Sequence, residues 1–212
     1  VYQDFDIDAQ QGKTVEIQKL ISLYDSRDMA ISECVLEAQD ALRHCKSFSK
    51  LLERHIISWS HLWKRWQISI KAKNPNIQQS LNLHIYHLLQ TISPNIVDVD
   101  AGVPPRGLHG EAYRGLIMWD ELFVFPLFNL RMPDITRSLL MYRYRRLQRA
   151  KWAAENAGYK GAMFPWQSGS TGEEETQVIH LNPKSGKWGP DHSRNQRHIS
   201  FDIAYSIWDH WK

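Results

Sequence analysis

Residues Pro104 to Phe125 read PPRGLHGEAYRGLIMWDELFVF, and the rest of the chain is organised around this stretch. Glycines at 107, 110 and 115 allow tight turns and close approach to a ligand. Arg106, His109, Glu111, Arg114, Trp119, Asp120 and Glu121 crowd polar and aromatic groups onto that frame. The apolar run after Trp119 reads as the start of a buried helix. A loop rich in glycine, charge and aromatics that feeds a buried helix is a common way to build a sugar or phosphate site.

Gly161 to Thr176, GAMFPWQSGSTGEEET, has the same character and also follows a helical pattern. Two such loops are expected at one end of a helical barrel or array, with the site at the loop end. The three carboxylates Glu173, Glu174 and Glu175 read as a solvated loop or a helix start.

Bulk composition narrows the function classes. The 212 residues are 42% hydrophobic and 23% charged, within the globular range. Nine tryptophans are a heavy load. Indole faces stack on the CH faces of sugars, and the same residues also fill helical cores. A net charge of +3 is too mild for a dedicated nucleic-acid binder. The basic run Tyr142 to Arg149, YRYRRLQR, reads as a solvated helix face. Cys34 and Cys45 form neither a disulfide framework nor a CxxC metal pair, which points to reduced thiols and a cytoplasmic setting. No apolar run approaches about 18 residues, so no membrane helix is expected. No signal peptide is evident. The opening residue is Val1, not Met, which reads as a piece of a longer protein.

In chain order, Val1 to Arg27 reads as strand, with a hairpin turn at Gln10-Gln11-Gly12-Lys13. Helical spacing follows over Asp28–Cys45, then from Ser47 to about Ile70, then over Asn76–Ile92. His84 and His87 lie three apart on the third helix. No thiol or carboxylate partner is evident, so no metal is expected there. Trp119–Arg131 is helical, and Pro126 is placed to bend it. Pro133–Ala157 reads as one long helix with Gly158 as its C-cap. Val178–Asp191 reads as a hairpin. Arg197–Trp211 reads as a last helix with Ile199, Ile203, Ile207 and Trp211 in one stripe.

Several blocks occur in a recognisable order. They are Leu51-Leu52-Glu53-Arg54-His55 with Trp59 and Leu62-Trp63, Arg106 through Gly115, Trp119-Asp120-Glu121, and Phe164 through Gly169 with Gly172 through Thr176. His180-Leu181-Asn182-Pro183, Gln196 through Ile199 and Asp202 through Tyr205 follow. In this ordered set the sequence resembles glycoside hydrolase family 65, the inverting α-glucoside phosphorylases and related hydrolases. Leu116 departs from the pattern, since members often carry His after Tyr-Arg-Gly.

The resemblance implies a mainly α fold. Residues 1–28 would be the last strands of an N-terminal β-sandwich, 29–74 a helical linker, and 75–212 the first part of an (α/α)6 catalytic barrel. It implies phosphorolysis of an α-linked glucose disaccharide, with inorganic phosphate as co-substrate and no other cofactor. It implies Trp119 and Asp120 as a glucose clamp, Arg114 as a residue orienting Asp120 or the loop, and Trp166 and Gln167 at the pocket rim. No catalytic residue is assigned within the chain. The general-acid glutamate is expected beyond Lys212, so this piece alone is expected to be inactive. An inverting, trehalase-like hydrolase and a non-catalytic sugar-binding helical domain are the alternatives. A homo-oligomer is expected from open apolar helix faces.

Overall fold

The helical spacing becomes α1 (Cys34–His44), α2 (Phe48–Trp66), α3 (Asn76–Thr91), α4 (Glu121–Arg131), α5 (Pro133–Arg145), α6 (Leu147–Asn156) and α7 (Ile199–Trp211). A hairpin of β1 (Ile179–Asn182) and β2 (Lys187–Pro190) precedes α7. This computed structural model describes residues 4–45, 47–97, 99–107, 112–113 and 115–212. The protein is mainly helical, as the spacing predicts. It divides into two units, Val1–Trp63 and Lys64–Lys212.

In the first unit the expected hairpin does not form. A turn is present, with the Lys13 N–H donating to the Gln10 carbonyl at 3.1 Å, but no strand flanks it among the described residues. Ile21 and Leu23 are 78% and 90% exposed. A two-stranded ladder with no face to bury is marginal in water. The first helix also begins later than its spacing suggests, at Cys34, after a left-handed backbone at Ala30. Ser47 starts α2 as predicted: its hydroxyl accepts from the Lys50 N–H at 3.4 Å.

The second unit holds the core. Helix α4 packs against both α5 and α7, and α5 packs against α7. Phe125 and Phe128 of α4, Ile135 and Leu139 of α5, and Ile199 and Ile203 of α7 are all buried. Trp66 closes one side, its ring 4.6 Å from that of Phe128. Ile207 and Trp211 of the predicted α7 stripe stay exposed. Pro126 sits on an exposed position of α4, and the helix continues through it.

Three contacts fix how α4 and α7 run. Near their C-terminal ends, Asn129 donates to Asp209 at 3.0 Å and pairs with His210 at 3.0 Å. Near their N-terminal ends, Trp119 meets His198 at 5.2 Å between ring centroids. The helices are therefore parallel, and their N-termini stand side by side.

The single helix expected over Pro133–Ala157 is two. It breaks at Arg146, whose backbone leaves helical geometry (φ −104°, ψ 7°) while its side chain is drawn onto Asp100 and Ser170. At the end of α6, Gly158 takes φ +78°, and its N–H donates to Glu155 while that of Tyr159 donates to Ala154. This paired closure is what a left-handed glycine after a helix permits.

Gly102 is a close-approach glycine. A Cβ there would lie 2.6 Å from a methyl carbon of Ile117 and 3.2 Å from Glu121 Oε1. Gly102→Ala is expected to destabilise the second unit by about 1–3 kcal/mol. Thermal unfolding read by circular dichroism checks this, and an unchanged midpoint would show that the site yields freely.

Candidate sugar site

The two glycine-rich loops meet. Ile117 and Ser168 exchange backbone hydrogen bonds of 2.8 and 2.9 Å, and Ser168 also bridges to Glu174. Loop one thereby delivers Trp119 and Asp120, and loop two delivers Trp166 and Gln167, to one end of the second unit.

Trp119, Trp166 and His198 form an aromatic cluster. The two indoles lie 5.9 Å apart at 41°, and the imidazole stands edge-on to both, at 5.2 and 5.7 Å. Phe123 closes on Trp119 at 5.4 Å. The sequence reading did not single out His198. It precedes α7, and its Nδ1 pairs with Asp202 at 2.6 Å while Nε2 faces the Gln196 amide oxygen at 3.1 Å. The spacing of His198 and Asp202 was the available signal, since residues four apart share a helix face.

Asp120 is half-buried at the N-terminus of α4 but makes no capping bond to the helix. Burial pushes its carboxyl above the usual range; only its own backbone N–H pulls the other way. It lines a cavity of about 360 Å³ together with His84, His87, Arg106, Val103 and Val124. Trp119, Trp166 and Gln167 do not line that cavity. Arg114 lies outside the described residues.

Glutamates next to the candidate pairs have structural work. The carboxylate of Glu174 accepts from the N–H groups of Trp166 (2.8 Å), Gln167 (3.2 Å) and Thr176 (3.0 Å), and from the Thr176 hydroxyl (2.5 Å). It is therefore the internal brace of loop two, not a solvated charge as its neighbours suggested. Glu173 is exposed and pairs with Arg149 at 3.2 Å. Glu174→Ala leaves several amides of a half-buried loop without partners, each worth about 1–3 kcal/mol. Hydrogen exchange at the Trp166 and Gln167 amides is expected to speed by about tenfold or more. Unchanged exchange would contradict the bracing role.

A larger cavity of about 600 Å³ borders Arg149, Trp152, Phe164, Pro165, Arg194 and Arg197, and shares no lining residue with the Asp120 cavity. Its two carboxylates, Glu173 and Glu174, already have the partners just described. Asp120 has no side-chain partner among the described residues beyond its own backbone, so its acceptor capacity is open to a ligand.

The basic run of α5 is the clearest correction. Tyr142 and Arg143 are 2% and 1% exposed, and the Arg146 side chain is 11% exposed. Arg143 pairs with Glu121, itself buried, at 3.1 Å, and burial pushes the Glu121 carboxyl up against the pull of that guanidinium. Arg146 stacks on the Tyr142 ring at 3.8 Å and binds both oxygens of Asp100. Tyr144, Arg145, Gln148 and Arg149 are the part of the run that faces solvent.

Residues 82–212 match the family described as "Glycosyl hydrolase family 65 central catalytic domain", and residues 1–62 match "Glycosyl hydrolase family 65, N-terminal domain". An uncharacterized glycosyl hydrolase of Mycobacterium tuberculosis (strain ATCC 25618 / H37Rv) is 44% identical over 209 residues, 99% of this chain and 16% of that protein. Trehalose 6-phosphate phosphorylase of Lactococcus lactis subsp. lactis is 40% identical over 207 residues, 96% of this chain and 26% of that protein. Kojibiose phosphorylase of Thermoanaerobacter brockii is 34% identical over 220 residues, covering 98% and 27% respectively. A solved structure from the human microbiome, provisionally named a kojibiose phosphorylase, shares the fold at a TM-score of 0.63 and 21% identity, over 84% of this chain and 21% of that one. The chain thus spans between about a sixth and a quarter of the relatives it matches. With its catalytic-domain match running through both loops and their helices, the chain belongs to glycosyl hydrolase family 65.

Proposed function

We propose that this chain supplies the glucose-holding part of an inverting α-glucoside phosphorylase. The observation that carries this reading is the Asp120 carboxylate. It is half-buried, lacks a side-chain partner among the described residues, opens on a cavity, and directly follows Trp119 of the Trp119–Trp166–His198 cluster in the chain. A carboxylate accepts short, charge-assisted bonds from sugar hydroxyls, and indoles cover the CH faces. The phosphorylase names of the relatives from L. lactis and T. brockii agree with that chemistry.

In the proposed reaction a phosphate oxygen forms a bond to the anomeric carbon from the face opposite the leaving group. The glycosidic C–O bond breaks, and a glutamic acid protonates the departing oxygen. The products are β-glucose 1-phosphate and the second sugar. Phosphate is already a nucleophile, so no base is needed; a hydrolase needs a second carboxylate to activate water. No cofactor other than co-substrate phosphate is invoked. Trp119, Asp120, Trp166, Gln167 and Arg114 remain the proposed sugar-binding residues, with the general acid outside 1–212.

The same reading takes residues 75–212 as part of an (α/α)6 barrel, 29–74 as its helical linker and 1–28 as the end of a β-sandwich, in a cytoplasmic homo-oligomer. Exposed Leu130, Phe201 and Trp211, each more than three-quarters exposed, favour association. A monomer by light scattering at working concentration would sink the oligomer. The activity is tested on the full-length gene product by NMR, with α-linked glucobioses and inorganic phosphate. Phosphate-dependent formation of β-glucose 1-phosphate is expected. Free glucose released without phosphate would make it a hydrolase, and no turnover of any glucobiose would favour a non-catalytic sugar-binding domain.

A further inference from the structure

We propose that Arg143 is a positioning residue for the sugar pocket, tying the Trp119–Asp120 loop to the Trp166–Gln167 loop from α5. The proposal rests on the sugar-pocket reading above.

The contacts fall on the flanks of both candidate pairs. Arg143 Nη2 donates to the carbonyl of Met118, the residue before Trp119, at 2.9 Å. Its Nε and Nη2 reach the carboxylate of Glu121, the residue after Asp120, at 3.3 and 3.1 Å. Its Nη1 reaches the hydroxyl of Ser168, the residue after Gln167, at 3.4 Å. One guanidinium therefore brackets Trp119–Asp120 on both sides and also holds the end of Trp166–Gln167. Tyr142 reinforces the loop-two side, with its hydroxyl 2.7 Å from Ser168 Oγ and donating to the Gly169 carbonyl at 2.5 Å.

Stability alone does not account for such a group. Burying an ion pair costs desolvation that the attraction barely repays, and apolar side chains of similar volume often hold a core as well or better. A guanidinium offers what they lack: five N–H directions in a rigid plane. Here those directions are spent on two loops that both carry the proposed sugar contacts. Glu121, left without a role by the sequence, becomes the counter-charge that keeps Arg143 in place.

The test uses the full-length enzyme labelled with 5-fluorotryptophan, with Trp119→Phe and Trp166→Phe to assign the two fluorine signals. Arg143→Met would strand the buried Glu121 charge and risks unfolding, so Ser168→Ala and Arg143→Lys carry the experiment. Ser168→Ala leaves the Glu121 pair intact and removes the loop-two end of the tie, together with the hydroxyl's bonds to Tyr142 and Ile117, so Arg143→Lys, which keeps that hydroxyl, separates the two contributions. Both variants are expected to shift the Trp119 or Trp166 signal in the absence of sugar. Both are expected to raise the disaccharide KM by about tenfold, since small misplacements of positioning groups are costly, with the phosphate KM unchanged. Unmoved signals in folded variants would overturn the proposal at the staple itself. Moved signals with an unchanged disaccharide KM would overturn it through its foundation, the sugar reading.

Discussion

On the proposed reading, Asp120→Asn is expected to lower kcat/KM for the α-glucoside by about a hundredfold or more in the full-length protein while leaving the fold intact. The size follows from what the side chain is asked to do. A hydrogen bond to a charged partner is worth about 1.5–3 kcal/mol, and a carboxylate holding two sugar hydroxyls makes two of them. Each ~1.4 kcal/mol is a factor of ten in rate, so losing the charge on both bonds gives about two orders of magnitude or more. The fold survives because Asp120 caps nothing: its side chain makes no bond to the α4 N-terminus. Removing a charge that burial already disfavours costs no contact to another described residue, and the amide oxygen of Asn can still accept from the residue's own N–H. Steady-state kinetics with a thermal melt check both halves. A kcat/KM within threefold of the parent would remove Asp120 from the site.

Phe128→Ala carries the largest expected loss of stability. Phe128 is fully buried in α4 and packs against Trp66, the rings 4.6 Å apart and tilted by 53°. Truncating a buried aromatic costs about 3–5 kcal/mol in transfer and cavity terms. At roughly 2–4 °C per kcal/mol for a domain of this size, the melting point of the second unit falls by about 10 °C. Leu130→Ala, two residues along the same helix, is the control. Leu130 is 82% exposed, so its truncation in this chain shifts stability by only about 0.5 kcal/mol. Equal losses for the two variants would contradict the packing described for α4.

Much of this was legible because helices and caps are local. The three- and four-residue spacing of Leu51, Leu52, His55, Trp59, Leu62 and Trp63 placed α2, and Ser47 and Gly158 marked real helix ends. The turn residues between His180 and Gly186 placed the hairpin, whose strands pair Ile179 with Pro190 and Asn182 with Lys187. The two glycine-rich loops could be matched by character, and the Ile117–Ser168 bridge joins them.

What stayed hidden depends on long-range contacts. The break at Arg146 follows from Asp100 and Ser170, both more than twenty residues away. Arg143 looked like solvated charge because its composition outweighed its position. Yet Ile135, Leu139, Tyr142 and Arg143 share one helix face, and the first three are buried with it. Of three adjacent glutamates, only the fold reveals that Glu174 turns inward to its own loop. The N-terminal segment failed in the opposite sense: its β-branched run suggested strands, but a strand needs a partner that periodicity cannot supply.

The most direct measurement is a crystal structure of the full-length enzyme soaked with glucose. The account predicts one glucose ring beside Trp119 and Trp166, with two of its hydroxyls within hydrogen-bond distance of the Asp120 carboxylate. A ring bound elsewhere, with Asp120 facing only water, would contradict it.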